Sequence, residues 1–458
     1  MVFPADSRAT WIASWHDRRV VVLGGARSGI AAATVLQTLG ARTVLSDRGQ
    51  LGAPTMDQLT TVGITCEGGG HSATLLDDAV MVVPSPGIPL DAPILTEAVR
   101  RGIPLIGEIE LAYRLCPSPM VAITGSNGKT TTTSLIDAIL QAQGRNVGCG
   151  GNIGLPLVSI AQQAWEVLVA EISTFQLETV HELAPETAVL LNLYDNHLDR
   201  HGSRDVYFGL KAKLFARQTA SDRAVYNADQ PEIVRRLSGI ASRHFPFSRL
   251  QTLPNGTGLA DGWVVVWEDG QVTPVMPVSE IPLPGDHNVE NVLAAVAAAW
   301  PYCNDVAALR ETIRTFTGVH HRLEAVRRLD GRDYVNDSKA TNYEAARRAL
   351  ISFRRPLIWI GGGRDKGGDF RELTEAVAAG VRHAVLMGEA GPSFATRLAE
   401  TGYTATTVVG TLEEAVSTAR HLSEPEDVIL FSPACTSFDQ FNNYEERGDV
   451  YKAIVQAL

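Results

Sequence analysis

A lysine and a threonine placed directly behind a glycine-rich turn can hold a triphosphate. The stretch Thr124-Gly125-Ser126-Asn127-Gly128-Lys129-Thr130-Thr131-Thr132 offers that pattern. Glycines let backbone N–H groups approach an anion, and a helix N-terminus adds partial positive charge. Lys129 can reach the β- and γ-phosphates while the Thr130 hydroxyl meets Mg²⁺. Gly125, Ser126, Asn127, Gly128 and Thr131 complete the expected ATP contacts. The spacing is tighter than the common G-x-x-x-x-G-K-[ST] form, since two residues separate Gly125 from Gly128. Other reactive groups sit at the ends of apolar runs. Glu171 closes the run 167–170, and Asp195-Asn196-His197-Leu198-Asp199 follows the run 188–193. A lone histidine is usually structural, yet one in a strand-end loop between carboxylates suits a metal.

Strands alternating with helices must position these groups. Residues 19–23 read as a buried strand, followed by Gly24-Gly25-Ala26-Arg27-Ser28-Gly29, a helical stretch 30–39 and a second strand ending at Asp47. This is a dinucleotide-fold βαβ unit with Ala26 in place of the middle glycine. It suits a nucleotide or nucleoside diphosphate more than NAD specifically. A strand at 79–83 ends in Pro84-Ser85-Pro86-Gly87, which is either a ligand-facing turn or a plain β-turn. Pro117-Ser118-Pro119 reads as a linker, and a helix is expected from about Thr131 to Gln143. Gly285-Asp286-His287-Asn288-Val289-Glu290-Asn291 opens an Ala-rich helix with two amides in its first turn. Strand candidates at 333–335, 356–360, 383–387 and 427–431, most of them separated by helical stretches, read as a second, smaller doubly wound sheet. The expected fold is α/β in three domains. These are a Rossmann-like domain over 1–117, a P-loop-type mononucleotide-binding domain over 118–317 and a Rossmann-like domain over 318–458.

Composition narrows the partners. The chain has 458 residues and a net charge of −11, which argues against a nucleic-acid surface. No window reaches the roughly 18 apolar residues that span a bilayer, so membrane insertion is not expected. Residues 1–19 lack a signal-peptide apolar core. Five scattered cysteines without a C-x-x-C pair point to a reducing compartment, the cytoplasm.

Seven ordered motifs carry a resemblance. T-G-S-N-G-K-T-T, G-G-N-I-G (150–154), E-I-S-T-F-Q-L-E (171–178), N-H-L-D-R-H (196–201), H-N-V-E-N (287–291), H-R-L-E (321–324) and N-D-S-K-A-T-N (336–342) resemble those of the Mur ligases. These enzymes add amino acids in peptidoglycan synthesis at the expense of ATP. The resemblance runs from about Arg19 to the C-terminus and leaves out 1–18. The motif S-P-A-C-T-S-F-D-Q-F (432–441) looks like that of the D-glutamate-adding members, and the D-N-P-R motif of the diamino-acid-adding member is absent. Folylpolyglutamate synthases resemble the central block but carry Gly where this chain has Thr130.

The resemblance implies UDP-MurNAc-L-Ala and D-Glu as substrates, ATP, and two Mg²⁺ sites. Thr130 and Glu171 would serve the first ion; His197 and a carbamylated Lys211 would serve the second. Lys129, His197 and Lys211 are then the implied catalytic residues, with Lys213 on the opposite side of the Lys211 helix. A plain solvated helix lysine is the other reading of Lys211. Asn288 and Asn291 are implied adenine contacts, and Arg322 and Asp337 phosphate and ribose contacts; each could equally be a helix cap or surface charge. Arg27, Ser28, Asp47, Arg48, Ser85 and Gly87 are implied for the UDP group, with Asn152 and Gln176 for the muramoyl part. Lys339, Thr341, Lys366, Ser437, Phe438 and Tyr444 are implied for D-glutamate, the two aromatics having core packing as their alternative. A hinge near Thr317-Gly318 and a monomer are expected. Competing readings are a family member adding another amino acid, a nucleotide-binding ATPase switch, and a dehydrogenase, which would leave the phosphate loop unexplained.

Overall fold

The computed structural model describes residues 5–194, 198–283, 285–353, 355–365 and 370–458, without the side chains of 5, 53, 54, 198, 199 and 344. His197 and Lys366 therefore lie outside the described residues. Packing divides the chain into two compact units, Met1–Phe316 and Thr317–Leu458. Among the described residues no helix is long and apolar enough to cross a membrane.

In the first unit, β1 (Arg19–Leu23), β2 (Arg42–Asp47), β3 (Thr65–Gly68) and β4 (Ala79–Pro84) form a parallel sheet in the order β3-β2-β1-β4. A second parallel sheet contains β5 (Met120–Thr124), β6 (Val147–Gly151), β7 (Val167–Glu171), β8 (Thr187–Leu190), β9 (Arg223–Tyr226) and β10 (Arg243–His244), in the order β10-β9-β8-β5-β7-β6. Its central strands β5, β7 and β8 are buried on both faces and read as largely apolar runs, as expected of parallel strands. One hydrophobic core joins the two sheets, running from Val20, Leu36 and Leu45 to Leu115, Met120, Leu168 and Leu190. The expected linker is accordingly no flexible spacer: Ser118 is buried and its N–H donates to the Cys116 thiol.

The opposite face of the second sheet shares a core with a third sheet that sequence reasoning did not foresee. Here β11 (Phe247–Ser248), β12 (Gly256–Ala260), β13 (Trp263–Glu268) and β14 (Gln271–Pro277) pair in chain order, the last three antiparallel. The Ala-rich helix Asp286–Ala299 belongs to this core and is buried from Asn291 to Ala299, which its small side chains permit.

The second unit holds β15 (Glu324–Leu329), β16 (Arg332–Asn336), β17 (Leu357–Gly362), β18 (Val381–Met387), β19 (Thr406–Val409) and β20 (Val428–Ala434), in the order β15-β16-β20-β17-β18-β19. Two apolar layers cover its faces. Among the described residues six strands stand where four were expected. The additions are β19 and β15, an antiparallel edge strand whose alternating charges hide it from a search for apolar runs.

Candidate active site

The phosphate loop leaves the C-terminal end of β5 and enters the helix Lys129–Ala142, two residues earlier than the sequence pattern suggested. Gly128 caps the helix at φ +79°, and a Cβ there would collide with the Asn291 side-chain oxygen. Side chains from the next strand end fix the loop. Asn192 Oδ1 accepts from the Asn127 N–H at 2.8 Å, and its Nδ2 donates to the Asn127 carbonyl at 3.2 Å. Ser126 Oγ donates to the Tyr194 carbonyl and accepts from the Tyr194 N–H, both at 2.9 Å, and lies 3.1 Å from Tyr207 Oη. Sequence reasoning missed Asn192, Tyr194 and Tyr207; the signal for the first was an amide inside an apolar run. Lys129 Nζ donates to the carbonyls of Gly125 at 2.8 Å and Ser126 at 3.2 Å, which holds the ammonium at the loop. Thr130 is buried beside it.

Lys211 lies on the helix Arg204–Ala212, which starts at the Ser203 cap. Only 1% of it is exposed, which rules out a solvated helix lysine. Its Nζ donates to the Gly125 carbonyl at 2.8 Å and stands 4.7 Å from the centre of the Tyr207 ring. Burial, reinforced by the nearby Lys129 ammonium, pushes its pKa well below the usual lysine range. The lowered pKa makes the nitrogen lone pair more available. Lys213 is not on the opposite side of that helix: it begins a tighter turn, Lys213–Phe215, with Nζ 3.4 Å from the Leu177 carbonyl.

Glu171 ends β7, paired with Ile123 next to the loop. Its Oε1 accepts from Asn152 Nδ2 at 2.7 Å, whereas Oε2 is buried with no hydrogen-bond partner. A carboxylate oxygen left in this way fits a cation. Among the described residues no three His, Cys, Asp or Glu side chains converge on a metal position. The Thr130 hydroxyl and the Glu171 carboxylate are oxygen donors that could hold a Mg²⁺ ion here.

At the first sheet, Asp47 is committed to the glycine-rich turn: Oδ2 accepts from the Gly25 N–H and Oδ1 from the Gly49 N–H at 2.7 Å. Ser85 packs against Gly24, which has φ +96°, and its Oγ lies 3.4 Å from the Gly24 carbonyl. Ser28 is half-buried at the head of the helix Arg27–Thr38, while Arg48 and Gly87 are exposed. Arg27 donates to the Gly154 carbonyl, linking this turn to the 150–154 loop. Gln176 is buried, and its Oε1 accepts from Ser173 N at 2.9 Å and Ser173 Oγ at 3.0 Å, closing a capping box. Asn288 lies in the first turn of its helix, but Asn291 sits one turn further in. Its Nδ2 donates to Asn288 Oδ1 at 3.1 Å, and its own Oδ1 faces the phosphate loop.

In the second unit, Arg322 is flanked by His321 at φ +63° and Leu323 at φ +45°, two left-handed positions that fix its direction. Asp337 is buried. It accepts from Ser432 Oγ at 2.7 Å and the Leu323 N–H at 3.2 Å, and burial raises its pKa to about 7. Lys339 Nζ lies 5.9 Å from the centre of the Tyr444 ring, and Thr341 follows it on the same turn. Ser437 is buried, whereas Phe438 is 60% exposed, so core packing does not account for this aromatic. Arg447 was not foreseen. It is fully buried and donates to Ser338 Oγ at 3.0 Å, the Ser338 carbonyl at 2.8 Å and the Cys435 carbonyl at 3.1 Å, tying two motifs together. Ala434, at φ +62°, marks the strained end of β20.

Residues 18–107 match the Mur ligase MurD-like N-terminal domain, 123–299 the Mur ligase middle domain and 321–435 the Mur ligase glutamate ligase domain. The chain belongs to the Mur ligase family. Among its relatives, the UDP-N-acetylmuramoylalanine–D-glutamate ligase of Pelotomaculum thermopropionicum is 42% identical over 96% of this chain and 98% of that protein. The enzyme of the same name from Geobacillus kaustophilus is 42% identical over 97% and 98%. The structure of UDP-N-acetylmuramate-alanine ligase from Thermotoga maritima is similar in fold, with a TM-score of 0.56 at 18% identity over 96% of this chain and 99% of that one.

Proposed function

We propose that this protein joins D-glutamate to UDP-N-acetylmuramoyl-L-alanine at the expense of ATP, in the cytoplasm and as a monomer, during peptidoglycan synthesis. The full-length likeness to D-glutamate ligases carries the choice of substrate. The phosphate loop, with Lys211 and Glu171 on its flanks, supports the chemistry. The substrate carboxylate attacks the γ-phosphorus, the bond to ADP breaks and an acyl phosphate forms. The amine of D-glutamate then attacks the activated carbonyl, and phosphate leaves as the amide forms. Carboxylate and triphosphate repel each other, so positive charge must lie between them. Lys129, held over the loop by Gly125 and Ser126, supplies part of it. Two bound Mg²⁺ ions would add further neutralisation, with Thr130 and Glu171 as proposed ligands of the first and His197 and carbamylated Lys211 of the second.

Lys211 is proposed to act as a carbamate. Its amine is buried and its pKa depressed, so the nitrogen lone pair is available to attack CO₂. One N–C bond forms and one proton leaves. The product is an anion with oxygen donors, which an ammonium cannot offer. The division 1–117, 118–317 and 318–458 completes the proposal, with UDP at the first domain, ATP at the second, and D-glutamate at Lys339, Thr341, Lys366, Ser437, Phe438 and Tyr444 of the third. Phosphate release in the presence of UDP-MurNAc-L-Ala tests the amino acid: D-Glu should drive it and L-Glu or L-Lys should not. Release driven by L-Lys would move the protein to another branch of the family.

A further inference from the structure

The helix Glu108–Leu115 runs between the first two sheets and begins Glu108-Ile109-Glu110, with both carboxylates buried. Gly107 precedes it so closely against Thr179 that a Cβ there would collide with the threonine hydroxyl. Glu110 is fully paired: it accepts from the N–H groups of His181 at 3.0 Å, Glu182 at 2.9 Å and Leu183 at 3.2 Å, and meets Arg114 at 2.8 Å. Glu108 differs. Its Oε1 accepts from the Val158 N–H at 2.8 Å, the neighbouring Leu157 N–H and the Gln176 amide act on the same carboxylate, and Oε2 has no hydrogen-bond partner of good geometry.

Those contacts fall on the first turn of the helix Leu157–Ile160, which follows the 150–154 loop, and on Gln176. Upstream, Asn152 is tied to Glu171 through its N–H at 2.8 Å and its side chain at 2.7 Å. In the middle, the loop closes through the Gly151 N–H on the Leu155 carbonyl at 2.8 Å. Downstream, Glu108 holds Leu157 and Val158. The carboxylate also fixes the orientation of Gln176. The Gln176 oxygen accepts from Ser173, which leaves its NH₂ as the group that acts on the Glu108 carboxylate, an acceptor.

We propose that Glu108 is a positioning residue for the UDP-sugar substrate, setting the 150–154 loop and the Gln176 amide from outside the site. This inference rests on the proposed function, because Asn152 and Gln176 matter only if that substrate binds. Burial also raises the Glu108 pKa to about 7, as expected of a carboxylate buried with few donors.

The test compares Glu108→Gln and Glu110→Gln with the parent enzyme by steady-state kinetics and thermal unfolding. A glutamine at 108 keeps an acceptor for Val158 but presents NH₂ to the Gln176 NH₂, and so disturbs the loop. Glu108→Gln should raise the KM for UDP-MurNAc-L-Ala about tenfold, with the KM for ATP and D-Glu and the kcat within about twofold. Glu110→Gln should lower the unfolding temperature and leave all three KM values alike, which is what a purely structural role looks like. An unchanged UDP-substrate KM in Glu108→Gln, or equal shifts in all three constants, overturns the inference while the parent enzyme remains active. If the parent enzyme itself makes no D-Glu adduct, the proposed function fails instead.

Discussion

Lys211 Nζ lies 2.8 Å from the carbonyl oxygen of Gly125, joining a buried helix lysine to the phosphate loop 86 residues away in sequence. The contact brings an amine whose pKa burial lowers to where a triphosphate would be cradled. Lys211→Ala should reduce turnover by about 100-fold or more, a loss typical of removing one charge-stabilising group. Added formate or acetate should restore part of it, by supplying the carboxylate that the carbamate provides. Turnover equal to the parent's in Lys211→Ala would remove the residue from the mechanism.

Asn152→Ala tests how Glu171 is held. Without the 2.7 Å bond to Oε1 the carboxylate is free to turn. Loss of a partner that orients a metal ligand typically costs about 10- to 100-fold. The kcat should fall by that amount and the apparent Mg²⁺ requirement should rise, as read from a magnesium titration of phosphate release. A magnesium curve that does not move would place Asn152 with the sugar alone.

Much of this arrangement was legible in the sequence, and the pattern of misses has a physical cause. The loop 124–132 declares itself because strand, glycine turn and helix are consecutive. Lys211 was found only through a resemblance, since its spacing alone also describes a solvated helix. Glu108, Asn192 and Arg447 were missed because each acts across a fold contact. Arg447 stands among charged neighbours, Glu445, Glu446 and Asp449, yet turns inward to two carbonyls. The sheet of β11–β14 was missed because β11 is only two residues long and β12 and β14 are interrupted by Gly and Pro.

Gly128→Ala should destabilise the first unit by at least about 1–2 kcal/mol, the cost of a left-handed conformation for a residue with a Cβ. The collision with Asn291 adds to that. A lower urea midpoint and a higher KM for ATP should appear together. A stable variant with normal ATP affinity would show that the loop relaxes around the methyl group.

Asp337 gives a pH signature. Its pKa is raised to about 7 in the folded chain, so the folded state keeps a proton that the unfolded state releases near pH 4. Its contribution to stability is therefore present below about pH 4 and is lost as pH rises towards about 7. Asp337→Asn removes the ionisation. Relative to the parent, the variant should gain stability as pH rises from about 4 to about 7, with the difference level above that, in urea unfolding. A constant difference across that range would refute the assignment.

In the proposed reaction the loop around Lys129 hands phosphate to a carboxylate rather than to water. UDP-MurNAc-L-Ala labelled with ¹⁸O in its alanyl carboxylate, incubated with ATP and D-Glu, tests this directly by mass spectrometry of the released phosphate. An acyl phosphate intermediate requires one labelled oxygen to appear in phosphate for every amide formed. Amide formation with unlabelled phosphate, or phosphate release that needs neither substrate, would contradict it.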